Sequence, residues 1–290
     1  MTVSEQSATV AAEAEASRAQ REIVYRHSLV VRLTHWINLL CLTLLLMSGL
    51  ALFNVHPQLY WGHYGYPGVP TVLSISGRYD PETQQPVGLT RIGDYTIDTT
   101  GILGVTYDSE GQPRPGAFPQ WATLGADLAV ARDWHFLMAW MFVINGTIYL
   151  LFGLFSGHFR RDLAPSADQL RPRHIASDIW NHVRLRRPRG EAAKRYNVLQ
   201  KFTYLAVIFV LLPAILASGL TMSPAVTAAF PLLFDLFAGR QSARTIHFIC
   251  ANLLLLFVLV HVVQVLLSGA FNLMRSMITG RYVVKAEGAS

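Results

Sequence analysis

Four stretches of this chain, Leu33–Phe53, His135–Phe155, Phe202–Met222 and Ile246–Ala270, contain no Asp, Glu, Lys or Arg. At about 1.5 Å of rise per residue, each is long enough to cross a hydrocarbon layer roughly 30 Å thick. In lipid such a run must satisfy its own backbone polar groups, and a helix does so. The composition agrees, with 52% hydrophobic and 14% charged residues, where a soluble domain carries about 25% charged. The expected fold is an all-α membrane protein, a four-transmembrane-helix bundle with a long irregular periplasmic loop.

Residues 1–30 are rich in Ala, Glu and Ser and lack the apolar middle of a signal peptide, so they read as a disordered cytoplasmic tail. The bundle domain then spans 31–280, and 281–290 is a C-terminal tail. Orientation follows from basic residues in the loops. Segment 157–201 holds 11 Lys/Arg against 4 Asp/Glu, densest from Arg184 to Arg189, whereas 56–133 holds 4 Arg against 8 Asp/Glu. The first is expected in the cytoplasm and the second in the periplasm, with both termini cytoplasmic and the chain in a bacterial inner membrane. The net charge of +6 is then mostly a topology signal. It points to anionic membrane lipid as a partner and away from nucleic acid.

The insert 56–133 carries eight prolines, from Pro57 to Pro119. It reads as an irregular folded loop with one β-hairpin around Gly88–Tyr107, either binding something or merely covering helix ends. The run Ala225–Phe237 is too short to span and reads as interfacial. A Ser-Gly-Leu step closes both the first and third spans, at Ser48 and Ser218, and is the one hint of an internal repeat. Cys41 and Cys250 are isolated, which excludes covalently attached c-type haem, a four-cysteine iron–sulfur cluster and a zinc ribbon carried by this chain alone.

Ionisable residues inside a bilayer are costly and mark function. His35, His135, His247 and His261 fall in the spans. Any one alone is as readily a hydrogen-bonded core residue as a ligand, but their arrangement is informative. His247 and His261 are 14 residues apart on one helix, close to four full turns and about 21 Å of rise, hence on one face in opposite leaflets. By depth, His35 matches His261 and His135 matches His247. Two imidazoles from facing helices suit axial ligation of a planar macrocycle. Bare zinc would want about four ligands, often thiolate or carboxylate. Two non-covalent haem b groups are therefore expected, with iron held by the pairs His35/His261 and His135/His247. Arg32, Arg132 and Arg244 each precede a histidine by three residues, one turn nearer water, where they either bind haem propionates or simply snorkel.

The chain resembles the membrane cytochrome b subunits of bacterial respiratory oxidoreductases, of the nickel hydrogenase, formate dehydrogenase gamma and thiosulfate reductase type. The resemblance is carried by Arg32-Leu-Thr-His35-Trp36, Ser48-Gly49-Leu50, His135, Tyr196-Asn197-Val-Leu-Gln200-Lys201, the His247/His261 pair and Met277-Ile-Thr-Gly280, with His56-Pro-Gln-Leu-Tyr60-Trp61-Gly62 most like the thiosulfate reductase branch. It implies a di-haem electron-transfer subunit between a periplasmic molybdenum or iron–sulfur oxidoreductase and membrane quinone. It nominates Asn197, Gln200, Lys201 and Gln264, beside His261, for quinone. Read locally, Asn197 with Gln200 is also a helix capping box and Lys201 a snorkelling residue. Two other classes stay open: a stand-alone cytochrome acting as a superoxide:quinone oxidoreductase or metal reductase, and a proton-coupled transporter, which the acid-free spans disfavour.

Overall fold

The computed structural model describes residues 21–107, 110–125, 127–184 and 197–285. The first part of the expected tail, Tyr196, Arg186, Arg187 and Arg189 of the basic run, and residues 286–290 lie outside them. The helices, in chain order, are α1 (Leu29–Val55), α2 (Leu128–Phe155), α3 (Pro172–Val183), α4 (Val198–Ala206), α5 (Leu212–Thr221), α6 (Pro224–Ala229), α7 (Leu232–Leu236), α8 (Arg240–Leu267) and α9 (Ala270–Thr279). Four segments are long and apolar enough to cross a membrane: α1, α2, Val198–Thr221 (α4 through α5) and α8. This is a four-helix, multi-pass membrane protein. The helices begin earlier than the uncharged runs, so Arg32, Arg132 and Arg244 lie within them. A helix continues through charges wherever its end reaches the polar interface.

The third span is not regular. A wide π-type turn, Val207–Leu211, separates α4 from α5, just ahead of Pro213. Proline lacks the N–H its helix needs and its ring presses on the carbonyl four residues back, so an interrupted ladder is the expected local solution. Elsewhere, hydroxyls are absorbed by back-bonding to the carbonyl one turn earlier: Thr43 to Leu39, Thr147 to Val143 and Thr221 to Ala217, each at 2.8 Å.

The described residues divide into two compact units, one of 21–36, 148–184, 197–207 and 257–285, the other of 37–107, 110–125, 127–147 and 208–256. In the first, strand β1 (Arg21–Tyr25) pairs antiparallel with the last strand, Arg281–Lys285. Segments expected as two tails are thus joined to each other. A left-handed Gly280 (φ 81°) turns the chain from α9 into that last strand, and α4 is seated by Val198 N–H donating to Asp178 of α3 at 3.1 Å.

In the second unit the insert is more ordered than the sequence suggests. Strands β2 (Gln58–Leu59), β3 (Leu73–Tyr79), β4 (Pro86–Ile92) and β5 (Tyr95–Asp98) form one antiparallel sheet, and β6 (Val105–Tyr107) pairs with β7 (Pro113–Pro115). The expected hairpin is present as β4–β5, turning at Gly93-Asp94. It went undetected as a larger sheet because its apolar positions are few: Ile75 packs with Phe53, Leu59 and Ala117, and Phe248 of α8 closes the cluster. Gly77 and Gly88 are opposite each other in the ladder. A Cβ on Gly77 would stand 2.1 Å from the Gly104 carbonyl oxygen, and one on Gly88 2.0 Å from that of Leu103. Only glycine lets the crossing strand approach.

The insert is fastened to the start of α8. The Gly62 carbonyl accepts from Gln241 and Ser242 N–H at 3.1 and 3.2 Å, two of the donors a helix start leaves unpaired. Thr245 Oγ1 donates to the Tyr60 carbonyl at 2.7 Å, and Arg244 donates to the carbonyls of Gln58, at 2.9 Å, and His56. That docking gives the His56–Gly62 stretch a structural task.

Candidate functional site

Each expected histidine pair is brought together inside one unit. In the first unit the rings of His35 (α1) and His261 (α8) have centroids 6.4 Å apart at 55°. In the second, those of His135 (α2) and His247 (α8) are 6.2 Å apart at 61°. Two metal–nitrogen bonds of about 2.0 Å and two imidazole radii of about 1.1 Å span roughly 6 Å. The separations therefore suit a metal held between the two rings. Among the described residues no three His, Cys, Asp or Glu side chains gather into a metal-binding group, so a bare ion would lack protein ligands that a haem's own nitrogens supply. The residues present fit a bis-imidazole haem.

The surroundings of the two pairs differ. His135 Nδ1 lies 3.0 Å from Ser48 Oγ, and His247 Nδ1 lies 2.9 Å from the Ile215 carbonyl and 3.3 Å from Ser218 Oγ. A ring nitrogen facing a carbonyl carries the proton, which leaves the lone pair on Nε2. Gly49 and Gly219, next in sequence to the serines, put backbone against the rings: a Cβ on either would be 3.4 Å from His135 Cε1 or 3.2 Å from His247 Cε1. The His35/His261 pair has aromatic neighbours instead. Phe257 stacks on His261 at 5.9 Å, Trp36 meets His35 edge-on at 5.3 Å, and Trp36 is held by donating to the Met277 carbonyl at 3.2 Å. His35 Nδ1 is buried with no hydrogen-bond partner.

The three arginines part company. Arg32 reaches the Ile278 carbonyl with one nitrogen, while its Nε is buried and unpartnered, an orphaned donor beside His35 that suits an anionic group. Arg132 faces Asp133 at 3.6 Å on the exposed side. Arg244 is occupied with the insert and lies over the Phe53 ring at 5.6 Å. Of the aromatic residues after the histidines, Phe136 is exposed and Phe248 stacks on Phe53 at 4.9 Å.

The quinone nominees lie in the first unit. Asn197 and Gln200 form the capping box: Asn197 Oδ1 accepts from Gln200 N–H at 2.8 Å, and Gln200 Oε1 accepts from Asn197 N–H at 3.3 Å. Lys201 is buried and donates to the Ala164 carbonyl at 3.0 Å. Gln264 follows His261 by three positions on α8.

Two histidines outside the paired sites, His158 and His27, sit in structured surroundings in the same unit. His158 lies 2.6 Å from Asp162 Oδ2, on the turn after α2, among Tyr149, Phe152 and Phe159. His27 is buried, and its pKa is pushed down to about 4 by that burial and then by the charges of Arg26, His35, His158 and Arg32. The spacing His158-x-x-x-Asp162 was a usable signal, since i and i+4 share a helix face. Nothing local marks His27.

The sequence profile described as prokaryotic cytochrome b561 matches residues 26–280. A putative protein-methionine-sulfoxide reductase subunit, YedZ1 of Azospira oryzae, is 36% identical over 153 residues, which is 53% of this chain and 73% of that protein. No solved structure matches. With the profile covering all four membrane helices and both histidine pairs, the chain belongs to the prokaryotic cytochrome b561 family.

Proposed function

We propose that this membrane cytochrome b carries two haem b groups and passes electrons between a periplasmic redox partner, a molybdenum or iron–sulfur oxidoreductase subunit, and the quinone pool of the bacterial inner membrane. The observation that carries the reading is the pair of imidazole separations, 6.4 and 6.2 Å, formed independently in the two units. A subunit role is supported by the similarity to a protein named as a subunit of a methionine-sulfoxide reductase.

Bound haem would supply reversible one-electron chemistry at low-spin iron. The chain's own groups do the rest. His35 with His261, and His135 with His247, would hold the iron of one haem each. The orphaned Arg32 Nε binds a propionate; Arg132 and Arg244 are the corresponding nominees at the other pair, and their present partners in the structure make theirs the lesser claim. The apolar helix faces exclude water and hold the iron sites in low dielectric.

Quinone reduction takes up two electrons and two protons, so its site needs polar groups open to an aqueous phase. Gln264, one turn past His261, with Asn197, Gln200 and Lys201 at the start of α4, is the proposed site on the cytoplasmic side. In this orientation both termini are cytoplasmic and the 56–133 insert is periplasmic, where its exposed Tyr95, Ile97 and Trp121 offer a docking surface.

The test is a reduced-minus-oxidised absorption spectrum with haem quantitation on the purified full-length chain. We expect b-type bands and two haems per chain; one haem or none overturns the di-haem reading.

A further inference from the structure

The Ser-Gly-Leu step found late in two membrane helices has the same job in both places. Within the second unit, Ser48 of α1 meets His135 of α2, and Ser218 of α5 meets His247 of α8, through hydroxyl and Nδ1 at 3.0 and 3.3 Å. Both hydroxyls are spoken for as donors: Ser48 Oγ donates to the Leu44 carbonyl at 2.6 Å, and Ser218 Oγ to that of Ala214 at 2.7 Å. Each serine therefore turns a lone pair to the imidazole and must accept from it. The carbonyl three residues before each serine also bonds the same ring, Ile215 on His247 and Leu45 on His135. The glycine after each serine brings backbone against the ring, more closely at Gly219 than at Gly49. Carbonyl, serine and glycine at offsets of minus three, zero and plus one form a cradle, built twice. Both serines are fully buried, so water does not compete for the bond.

The His35/His261 pair has no such cradle. His35 Nδ1 is buried without a partner, and among the described residues neither ring of that pair accepts or donates a hydrogen bond. The difference has an electronic consequence. A histidine that donates its second N–H to a fixed acceptor is a more basic ligand, and a more basic axial ligand favours the ferric over the ferrous state.

We propose that Ser48 and Ser218 are positioning residues that lock His135 and His247 as Nδ1–H tautomers and make the His135/His247 haem the lower-potential of the two. The proposal rests on the di-haem reading above and adds to it an ordering of the two centres and the residues that set it.

The experiment is an optical redox titration of the full-length chain, wild type against Ser48→Ala and Ser48→Thr, with electron paramagnetic resonance of the oxidised protein. His261→Ala, which removes the other centre, assigns the transitions. In wild type we expect two one-electron steps, the lower one surviving in His261→Ala. Ser48→Ala should shift that lower step alone toward easier reduction, by about threefold to tenfold in its equilibrium constant for the loss of one hydrogen bond. The low-spin signal of that haem should change with it while haem content stays the same. Ser48→Thr, which keeps the hydroxyl, should behave as wild type. If Ser48→Ala sheds that haem, Ser218→Ala is titrated instead, and the same upward shift of the lower step is expected. The proposal is overturned if both steps stay put, if both move together, or if the step surviving in His261→Ala is the higher one. Failure of the di-haem reading is distinct, since it shows as missing haem in the wild type.

Discussion

Asn145 of α2 donates from Nδ2 to Asn38 Oδ1 of α1 at 2.7 Å, and Asn145 is buried. The contact joins two membrane helices 107 positions apart in the chain and sets their register, because an unpaired amide in hydrocarbon is costly. Interhelical hydrogen bonds in membranes contribute about 0.6 kcal/mol on average and up to about 1.7. Asn38→Leu and Asn145→Leu should each destabilise by about that range, and the double variant by less than their sum. A double-mutant cycle of unfolding in detergent measures the coupling, and strict additivity would mean that the two amides do not depend on each other.

The histidine pairs predict a separable loss. Replacing His261 by Ala should remove one haem and all reactivity with quinone, while the His135/His247 haem remains reducible by the partner. His247→Ala should remove the other haem instead. Haem content per chain measured by the pyridine haemochrome reads both, and loss of two haems from either single variant would point to collapse of the bundle.

Gly219 and Gly49 differ in how close they bring the backbone to a ring. A Cβ at Gly219 would stand 3.2 Å from His247 Cε1, and one at Gly49 3.4 Å from His135 Cε1. The first distance obliges the ring to yield by a few tenths of an ångström, whereas the second is ordinary van der Waals contact. Gly219→Ala should therefore weaken haem retention, by about tenfold, the low end for disturbances around a ligand, and Gly49→Ala should change it little. Titration with haem, followed by absorbance, compares the two.

His27 predicts an acid-sensitive stability. Its folded pKa of about 4 lies below the ordinary 6.5, so the unfolded chain binds more protons between those values and stability rises with pH across that window. The contribution is complete above pH 6.5 and is lost as the pH falls toward 4. His27→Gln should flatten this part of the unfolding profile measured at pH 7, 6 and 5. A slope identical to wild type would assign the acid sensitivity to other groups.

Asn197 serves as a helix cap and is nominated for quinone, and the two roles separate by substitution. Serine caps about as well as asparagine, while alanine costs about 1 kcal/mol. Asn197→Ala should lower stability. Asn197→Ser should leave stability unchanged yet raise the KM for a soluble quinol, since the amide donor is gone. Unchanged quinol kinetics in Asn197→Ser would leave the residue with capping alone.

Much of the site was legible because it depends on spacing along helices. Helical periodicity puts His247 and His261 on one face, and depth in the bilayer matches each to a partner. The same spacing does not describe the arginines' present partners. Arg132 and Arg244 have the right offset from a histidine, yet Asp133 and the carbonyls of Gln58 and His56 take them up. Those groups are placed by the insert and the surface, which helical spacing does not describe. The polar pair Asn38/Asn145 and the pair His158/Asp162 passed unremarked, the first because asparagine is uncharged and stands alone in each span, the second because a histidine in a basic loop has a ready solvated reading.

The spans, the family resemblance and the four intramembrane histidines came from the sequence by itself, because an apolar solvent allows so few solutions that an uncharged run and its rare polar exceptions speak directly. What tertiary structure alone decided is which groups stand behind the ligands. Ser48 and His135 are 87 positions apart, and Ser218 and His247 are 29. A repeat of three common residues carries no weight until helix packing sets each serine against an imidazole, and hydrogen bonding, which acts over about 3 Å, then tells the two histidine pairs apart.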